Sequence, residues 1–208
     1  MFSVTRLIHT RPAADRDTLT SELRAVVAGV EHTLVEPTLP GVRNGGDILV
    51  HLRFDDRMQW SGISHELDVL LAQREIGHVD GADYSGAPQL TGHERPSAVY
   101  RSLLLRVMPG VDDMTVMRFE DDLRLLPQYV PSITAWQLSR VESAVGAAPW
   151  THVFEQEFCS LEALTGPYLM HPVHWAYVDR WFDPECPEVI VRERVCHSFC
   201  RCDRRVIV

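Results

Sequence analysis

The chain has 208 residues, 45% of them hydrophobic and 24% charged, with a formal net charge of −9. This is globular composition, and an acidic balance without a basic stripe excludes the usual nucleic-acid footprint. Apolar runs such as Leu103–Leu105 are too short for a membrane helix, and the start Met1-Phe2-Ser3-Val4-Thr5-Arg6 has no signal-peptide pattern, so a cytoplasmic protein without a nucleic-acid or membrane partner is expected.

Residues 3–12 form an apolar, β-like run that ends at Pro12. A helix is expected over Thr18–Val30, where Leu19, Leu23, Val26, Val27 and Val30 recur at intervals of three and four, with Asp15 or Asp17 as its cap. Strands over His32–Leu39 and Asp47–Phe54 flank the turn-rich residues 40–46. In the second of them Ile48, Val50 and Leu52 alternate with Leu49, His51 and Arg53, which suits an antiparallel strand with two distinct faces. A second helical stretch over Ser61–Arg74 and a weak strand over Gly77–Tyr84 complete an N-terminal unit, residues 1–84. Residues 85–98, with Gly86, Pro88, Gly92 and Pro96, read as a linker.

The same order then recurs over residues 99–208. Residues 100–109 are apolar and end at Pro109, 97 positions after Pro12. A helix over Met114–Leu126 is expected to carry Met114, Met117, Leu123 and Leu126 on its apolar stripe, with Asp112 or Asp113 as cap and Pro127 and Pro131 ending it. Strands over Ile133–Val141 and Thr151–Phe158, a helical stretch over Ser160–Trp181 and a last strand over Val189–Val195 follow. The fold class is therefore α+β: two tandem ferredoxin-like (βαββαβ) units. A single such sheet leaves one face open, so the two units are expected to cover each other as an intramolecular dimeric-type α/β barrel.

All basic residues besides histidine are arginines, which excludes a lysine Schiff base and a P-loop lysine. No Gly-x-Gly-x-x-Gly run is present, so acid–base chemistry without a cofactor is the economical expectation. The five cysteines, Cys159, Cys186, Cys196, Cys200 and Cys202, are odd in number and confined to the last quarter, unlike a disulfide framework. Cys196-His197-x-x-Cys200-x-Cys202 lacks the second, distant pair of a closed zinc site, so no metal is assigned. The arginine-rich tail from Arg192 onward reads as a frayed terminus.

The informative segment is Tyr168-Leu169-Met170-His171-Pro172-Val173-His174-Trp175. Pro172 disfavours helix at His171 and restarts one after it. Tyr168, His171 and His174 recur every three residues, which helical geometry would bring toward one side. A phenol and imidazoles together polarise a carbonyl and move a proton near neutral pH. The bland alternative is a helix start whose histidines bond backbone carbonyls.

Thr151-His152-Val153-Phe154-Glu155-Gln156-Glu157-Phe158-x-Ser160-x-Glu162-Ala163-Leu164, followed by Tyr168-x-x-His171-Pro172-x-His174, resembles the stress-responsive dimeric α/β-barrel (Dabb) family over roughly residues 98–195. The N-terminal unit is similar in layout alone, with Trp60 and His65 in the corresponding region. The run is like that of a plant polyketide cyclase of this family, which closes a linear poly-β-ketone by intramolecular aldol condensation. The resemblance implies that His174 is the catalytic base and Tyr168 the phenol that holds a substrate carbonyl. It implies that His152 lines the pocket and that His171 is structural. Ser102 stands where the family's first strand often offers a histidine. Trp175, and His51 and His9 facing the barrel, complete the expected substrate-binding set.

The expected function is a cofactor-independent acid–base enzyme of small-molecule, polyketide-type metabolism, an intramolecular aldol cyclase or a related lyase or isomerase. Its substrate is expected to be a small ketone or aromatic, held at the mouth of the barrel. An acyl carrier protein and a second copy of the chain are the candidate macromolecular partners. Two alternatives stay open: a haem-binding barrel enzyme with His152, His171 or His174 as axial ligand, and a non-catalytic stress or ligand-binding protein whose His-Pro-x-His is a hinge.

Overall fold

The computed structural model describes residues 1–92 and 95–208. Its first half runs β1 (Phe2–Thr10), α1 (Arg16–Val26), β2 (His32–Pro37), β3 (Ile48–Phe54), α2 (Arg57–Leu71) and β4 (Ile76–Ser85). A two-residue β5 (Gln89–Leu90) lies in the linker, where His93 and Glu94 fall outside the described residues. The second half runs β6 (Val99–Leu105), α3 (Asp113–Tyr129), β7 (Ile133–Val145), β8 (His152–Phe158), a broken helical segment over residues 161–181, and β9 (Cys196–Arg201). Aspartates start the long helices. Asp15 accepts the N–H groups of Asp17 and Thr18, Asp56 those of Met58 and Gln59, and Asp112 that of Thr115.

The strands pair antiparallel in the order β2-β3-β1-β4-β7-β8-β6-β9. Each half uses the order second-third-first-fourth, and the halves join where β4 meets β7, Ala82 opposite Ala144. At the other edge Leu39 N donates to Phe199 O at 3.0 Å, and Arg43 and His197 exchange both backbone hydrogen bonds at 2.9 and 2.8 Å. The loop after β2 thereby closes the sheet against β9 into a barrel within one chain.

Strand alternation separates three apolar layers. Val4, Ile8, Val50 and Leu52 point outward under α1 and α2, against Leu19, Leu23 and Trp60. Leu103, Phe154, Phe158 and Phe199 point outward under α3 and the segment 161–181. Leu7, Leu49, Tyr84, Tyr100, Leu104 and Val153 point inward and fill the barrel. Each fully buried Leu or Phe contributes about 1.5–3 kcal/mol. Among the described residues no helix is long and apolar enough to cross a membrane.

Several expectations are corrected. Pro127 does not end α3; it falls in the last turn, where few intrahelical bonds remain to lose, and the helix runs on to Tyr129. Met114 and Met117 are exposed, and the buried stripe is Phe119, Glu120, Leu123 and Leu126. Residues 189–195 are not a strand. Ile190 N and Val191 N both donate to Trp181 O, and Met108 N donates to Ile190 O, so these backbone groups are already engaged. The strand is Cys196–Arg201, paired to β6 from Cys196 opposite Leu104 to Arg201 opposite Val99. The tail is not frayed either. Val206 N and Ile207 N donate to Glu157 Oε1 at 2.6 and 2.5 Å, Arg53 donates to Val208 O at 2.8 Å, and Ile207 is buried.

Candidate active site

The segment 161–181 begins with Ser160, whose hydroxyl accepts the Ala163 N–H at 3.1 Å. Pro167 and Pro172 each remove a backbone donor, and the chain winds as two wide π turns, Leu164–Tyr168 and His174–Val178, before a tight 3₁₀ turn at Asp179–Trp181. Asp122 on α3 anchors its end, accepting from the Trp181 indole at 2.7 Å and from Arg180 at 2.6 Å. This winding sets the Tyr168 and His174 rings edge-on, with centroids 5.3 Å apart.

The two rings border a cavity of about 190 Å³ between the segment and the outer face of the sheet. Arg101 of β6, His197 of β9, Asp179 and Arg43 also line it, with Leu123, Phe154, Val178 and Phe182 as apolar wall. His174 Nδ1 lies 3.0 Å from Asp179 Oδ1, which leaves Nε2 as the free ring nitrogen. Arg101 Nη1 donates to Tyr168 Oη at 3.1 Å and to Gln156 Oε1, and its guanidinium lies 5.2 Å from the centre of the Tyr168 ring. Because Arg101 donates to the phenol oxygen, the phenol's own hydrogen is free to meet another acceptor.

Burial sets the protonation states. It lowers the His174 pKa below the ordinary value, with Asp179 opposing and Arg101 adding to the shift. Burial, with Arg101 and His174 nearby, pulls His197 down to about 2. Burial raises Tyr168, and Arg101 opposes it. Near neutral pH the cavity therefore presents an uncharged imidazole braced by a carboxylate, a protonated phenol and a guanidinium. That set can take a proton from carbon and stabilise the negative oxygen that results.

The cavity lies outside the barrel, under the helical segment, and not at the barrel mouth. The structure brings Tyr168 and His174 together there and turns His171 away. The His171 Nδ1 accepts the Val173 N–H at 3.3 Å, and the side chain borders a separate hollow with Arg95 and Pro131. The break at Pro172 and the π turns defeat the three-residue spacing. Trp175 is 58% exposed, with its indole bonded to Met170 O, and does not line the cavity. His152 sits at the other end of β8 with both ring nitrogens engaged, one with Thr151 Oγ1 at 2.9 Å and one with Glu120 Oε1 at 3.2 Å. Ser102 and His51 face the barrel interior, where His51 Nδ1 is 3.3 Å from Glu155 Oε1. His9 stands by His78 and Asp80, also away from the cavity. In the N-terminal half, Trp60 is buried beneath Arg6 and His65 is exposed.

Arg101, Asp179, His197 and Arg43 were not foreseen. A charged residue on the core-facing side of β6, between Val99 and Leu103, was the available signal for Arg101. His197 lies within the cysteine run, on the strand Cys196–Arg201 that the sequence alone sets at Val189–Val195. Cys196, Cys200 and Cys202 belong to the barrel core, where burial pushes the thiols of Cys196 and Cys202 up to about 12. Among the described residues no three His, Cys, Asp or Glu side chains are arranged to hold a metal ion. The His174 cavity does not fit haem as it stands. The cavity lies below the ~300–1,000 Å³ typical of drug-sized ligands, and His152 has no ring nitrogen left to offer.

The family model of the stress responsive A/B barrel domain, Dabb, matches residues 99–196. No curated protein sequence matches significantly. Among solved structures, an anthrone oxidase-like protein superposes with a TM-score of 0.68 at 13% identity, covering 96% of this chain and 90% of its own. A Fusobacterium nucleatum protein provisionally named a monooxygenase gives 0.59 at 7% identity, covering 95% and 90%. A staphylococcal regulator of pathogenesis gives 0.54 at 6% identity, covering 95% and 96%. At such identities the likeness is one of fold, and this fold serves proteins named as enzymes and one named as a regulator.

Proposed function

Residues 99–196 of this chain are a domain of the stress responsive A/B barrel (Dabb) family, and on that premise we propose that the protein is an acid–base enzyme that enolises a small ketone without recruiting a cofactor. One observation carries the reading: a His174–Asp179 pair set edge-on beside the Tyr168 ring, both rings lining one partly apolar cavity. His174 Nε2 takes a proton from the carbon beside the carbonyl. Asp179 stabilises the imidazolium that forms and does not itself take the proton. The Tyr168 O–H, polarised by Arg101, donates to the enolate oxygen.

In a substrate with a second ketone, the enolate carbon attacks that carbonyl within the same molecule. The imidazolium returns the proton to the new alkoxide, so bond formation and proton balance close without an external oxidant. That is aldol cyclisation, the polyketide cyclase version of the reading. The cavity's size limits it to a small ketone or the reacting end of a longer chain. A His174 cut off from any cavity would favour the non-catalytic hinge reading; that His174 lines one supports the acid–base reading.

Solvent deuterium exchange tests the proposal. Wild-type protein in D₂O should speed loss of the central proton signals of pentane-2,4-dione beyond an equal concentration of free imidazole. His152→Ala, altered outside the cavity, should behave like wild type. No acceleration across a panel of small 1,3-dicarbonyls and small keto acids such as pyruvate would refute it.

A further inference from the structure

The cavity holds a buried arginine, Arg101, that no described carboxylate pairs with directly. Arg101 is 5% exposed, and among the described residues its side-chain partners are the neutral Tyr168 and Gln156. Its Nε is buried without a hydrogen-bond partner, as is His197 Nε2. A buried cation held by neutral groups alone is costly, and such a site is completed by an anion. A second cation comes from the other half of the chain. Arg43, on the loop after β2, reaches the cavity because its backbone is bonded to His197 on both sides. Against these two arginines stands one carboxylate, Asp179, so the wall is one positive charge in excess on a chain whose net charge is −9.

We propose that the cavity takes a small organic carboxylate, held between Arg101 and Arg43, and that Arg43 makes the N-terminal half a specificity-determining part of the site. This rests on the acid–base reading above and narrows its substrates to keto acids. The planar guanidinium fork of arginine matches a carboxylate in shape as well as charge. A phosphate dianion would leave excess negative charge against a wall with a single positive excess. The loop that closes the barrel therefore also finishes the pocket, and neither half presents both arginines alone.

Calorimetric titration with benzoate and its neutral isostere benzamide tests this. Benzoate should bind about tenfold tighter or more, with an affinity that falls as salt rises. Arg43→Gln, an exposed position, should weaken benzoate about fivefold to tenfold and leave benzamide unchanged. Arg101→Gln, with circular dichroism as the folding control, should lose the preference for benzoate. Equal affinity for the two probes, binding of neither, or an Arg43→Gln protein with wild-type benzoate affinity would each overturn the proposal. Binding is read without turnover. A failed exchange assay with intact benzoate selectivity would thus refute the acid–base reading alone, and the converse result would refute this one alone.

Discussion

Asp179 stands five residues after His174 and still meets its ring, Oδ1 to Nδ1 at 3.0 Å. In a regular α-helix, residues five apart lie about 140° apart around the axis. The pair forms because residues 174–178 are wound as a π turn, which brings i and i+5 onto one side. The irregular backbone is what assembles the dyad.

The dyad's electrostatics should show in a pH profile. Burial holds the His174 pKa below the ordinary value and Asp179 pulls it back up. The exchange rate should therefore rise through a pKa below 6.5 and level off by neutral pH. Asp179→Asn removes the raising partner, so its acid limb should move to lower pH and its plateau should drop. An acid limb that stays in place would show that the carboxylate does not face the ring in solution.

Tyr168→Phe should slow exchange by about 10–10²-fold, less than loss of the base, because Arg101 remains beside the oxygen that develops charge. The loss should fall on kcat more than on KM, since the phenol's hydrogen bond strengthens as the enolate forms. A change confined to KM would make Tyr168 a binding residue only.

His197 gives a stability prediction. Its pKa is about 2 in the fold and 6.5 in the unfolded chain. A histidine with a depressed folded pKa supports the fold above the unfolded value, and that support is lost as pH falls. Through this group the wild type should lose up to about 1.4 kcal/mol per pH unit below pH 6.5. Urea unfolding at pH 7.5 and pH 5 should show a smaller loss for His197→Gln than for wild type. Equal losses would mean that the ring is not held neutral by burial.

Two glycines should respond in opposite directions to alanine. Gly146 turns the chain between β7 and β8 at φ +101°, and a Cβ there would lie 2.3 Å from Val79 O and 2.5 Å from Asp80 Oδ1. Gly146→Ala should cost about 2–4 kcal/mol, through backbone strain and loss of the Asp80 bond to Ala147 N. Gly62 lies inside α2 with open space around it, so Gly62→Ala should stabilise by about 1 kcal/mol. Thermal melts of the two variants check both signs.

The β-α-β-β-α-β order was legible because it rests on periodicity, which survives in a single sequence. Ile48 to Phe54 alternates, and the structure buries both faces of that strand, one under α1 and α2 and one in the barrel. β4 was weak in the sequence because Gly77, Asp80, Gly81 and Asp83 break its apolar pattern. Gly81 and Asp83 lie at the seam with the second half, and Asp80 accepts from Ala147 N and Arg194. The run Val189–Val191 misled because apolar β-branched residues also plug cores in irregular conformation. Of the site, Tyr168 and His174 could be read from a local motif. Arg101, His197 and Arg43 could not be joined to them, since they come from β6, β9 and a loop of the other half. Sheet pairing alone brings those three together.

The most direct measurement is solvent deuterium exchange into pentane-2,4-dione by folded His174→Ala beside wild type at neutral pH. Loss of a positioned general base should slow exchange by about 10²–10⁴-fold. The circular dichroism spectrum should be unchanged, since His174 is only partly buried and its ring bonds one side chain, Asp179. A folded His174→Ala protein that exchanges at the wild-type rate would contradict the account and return the Tyr-x-x-His-Pro-x-His run to a structural hinge.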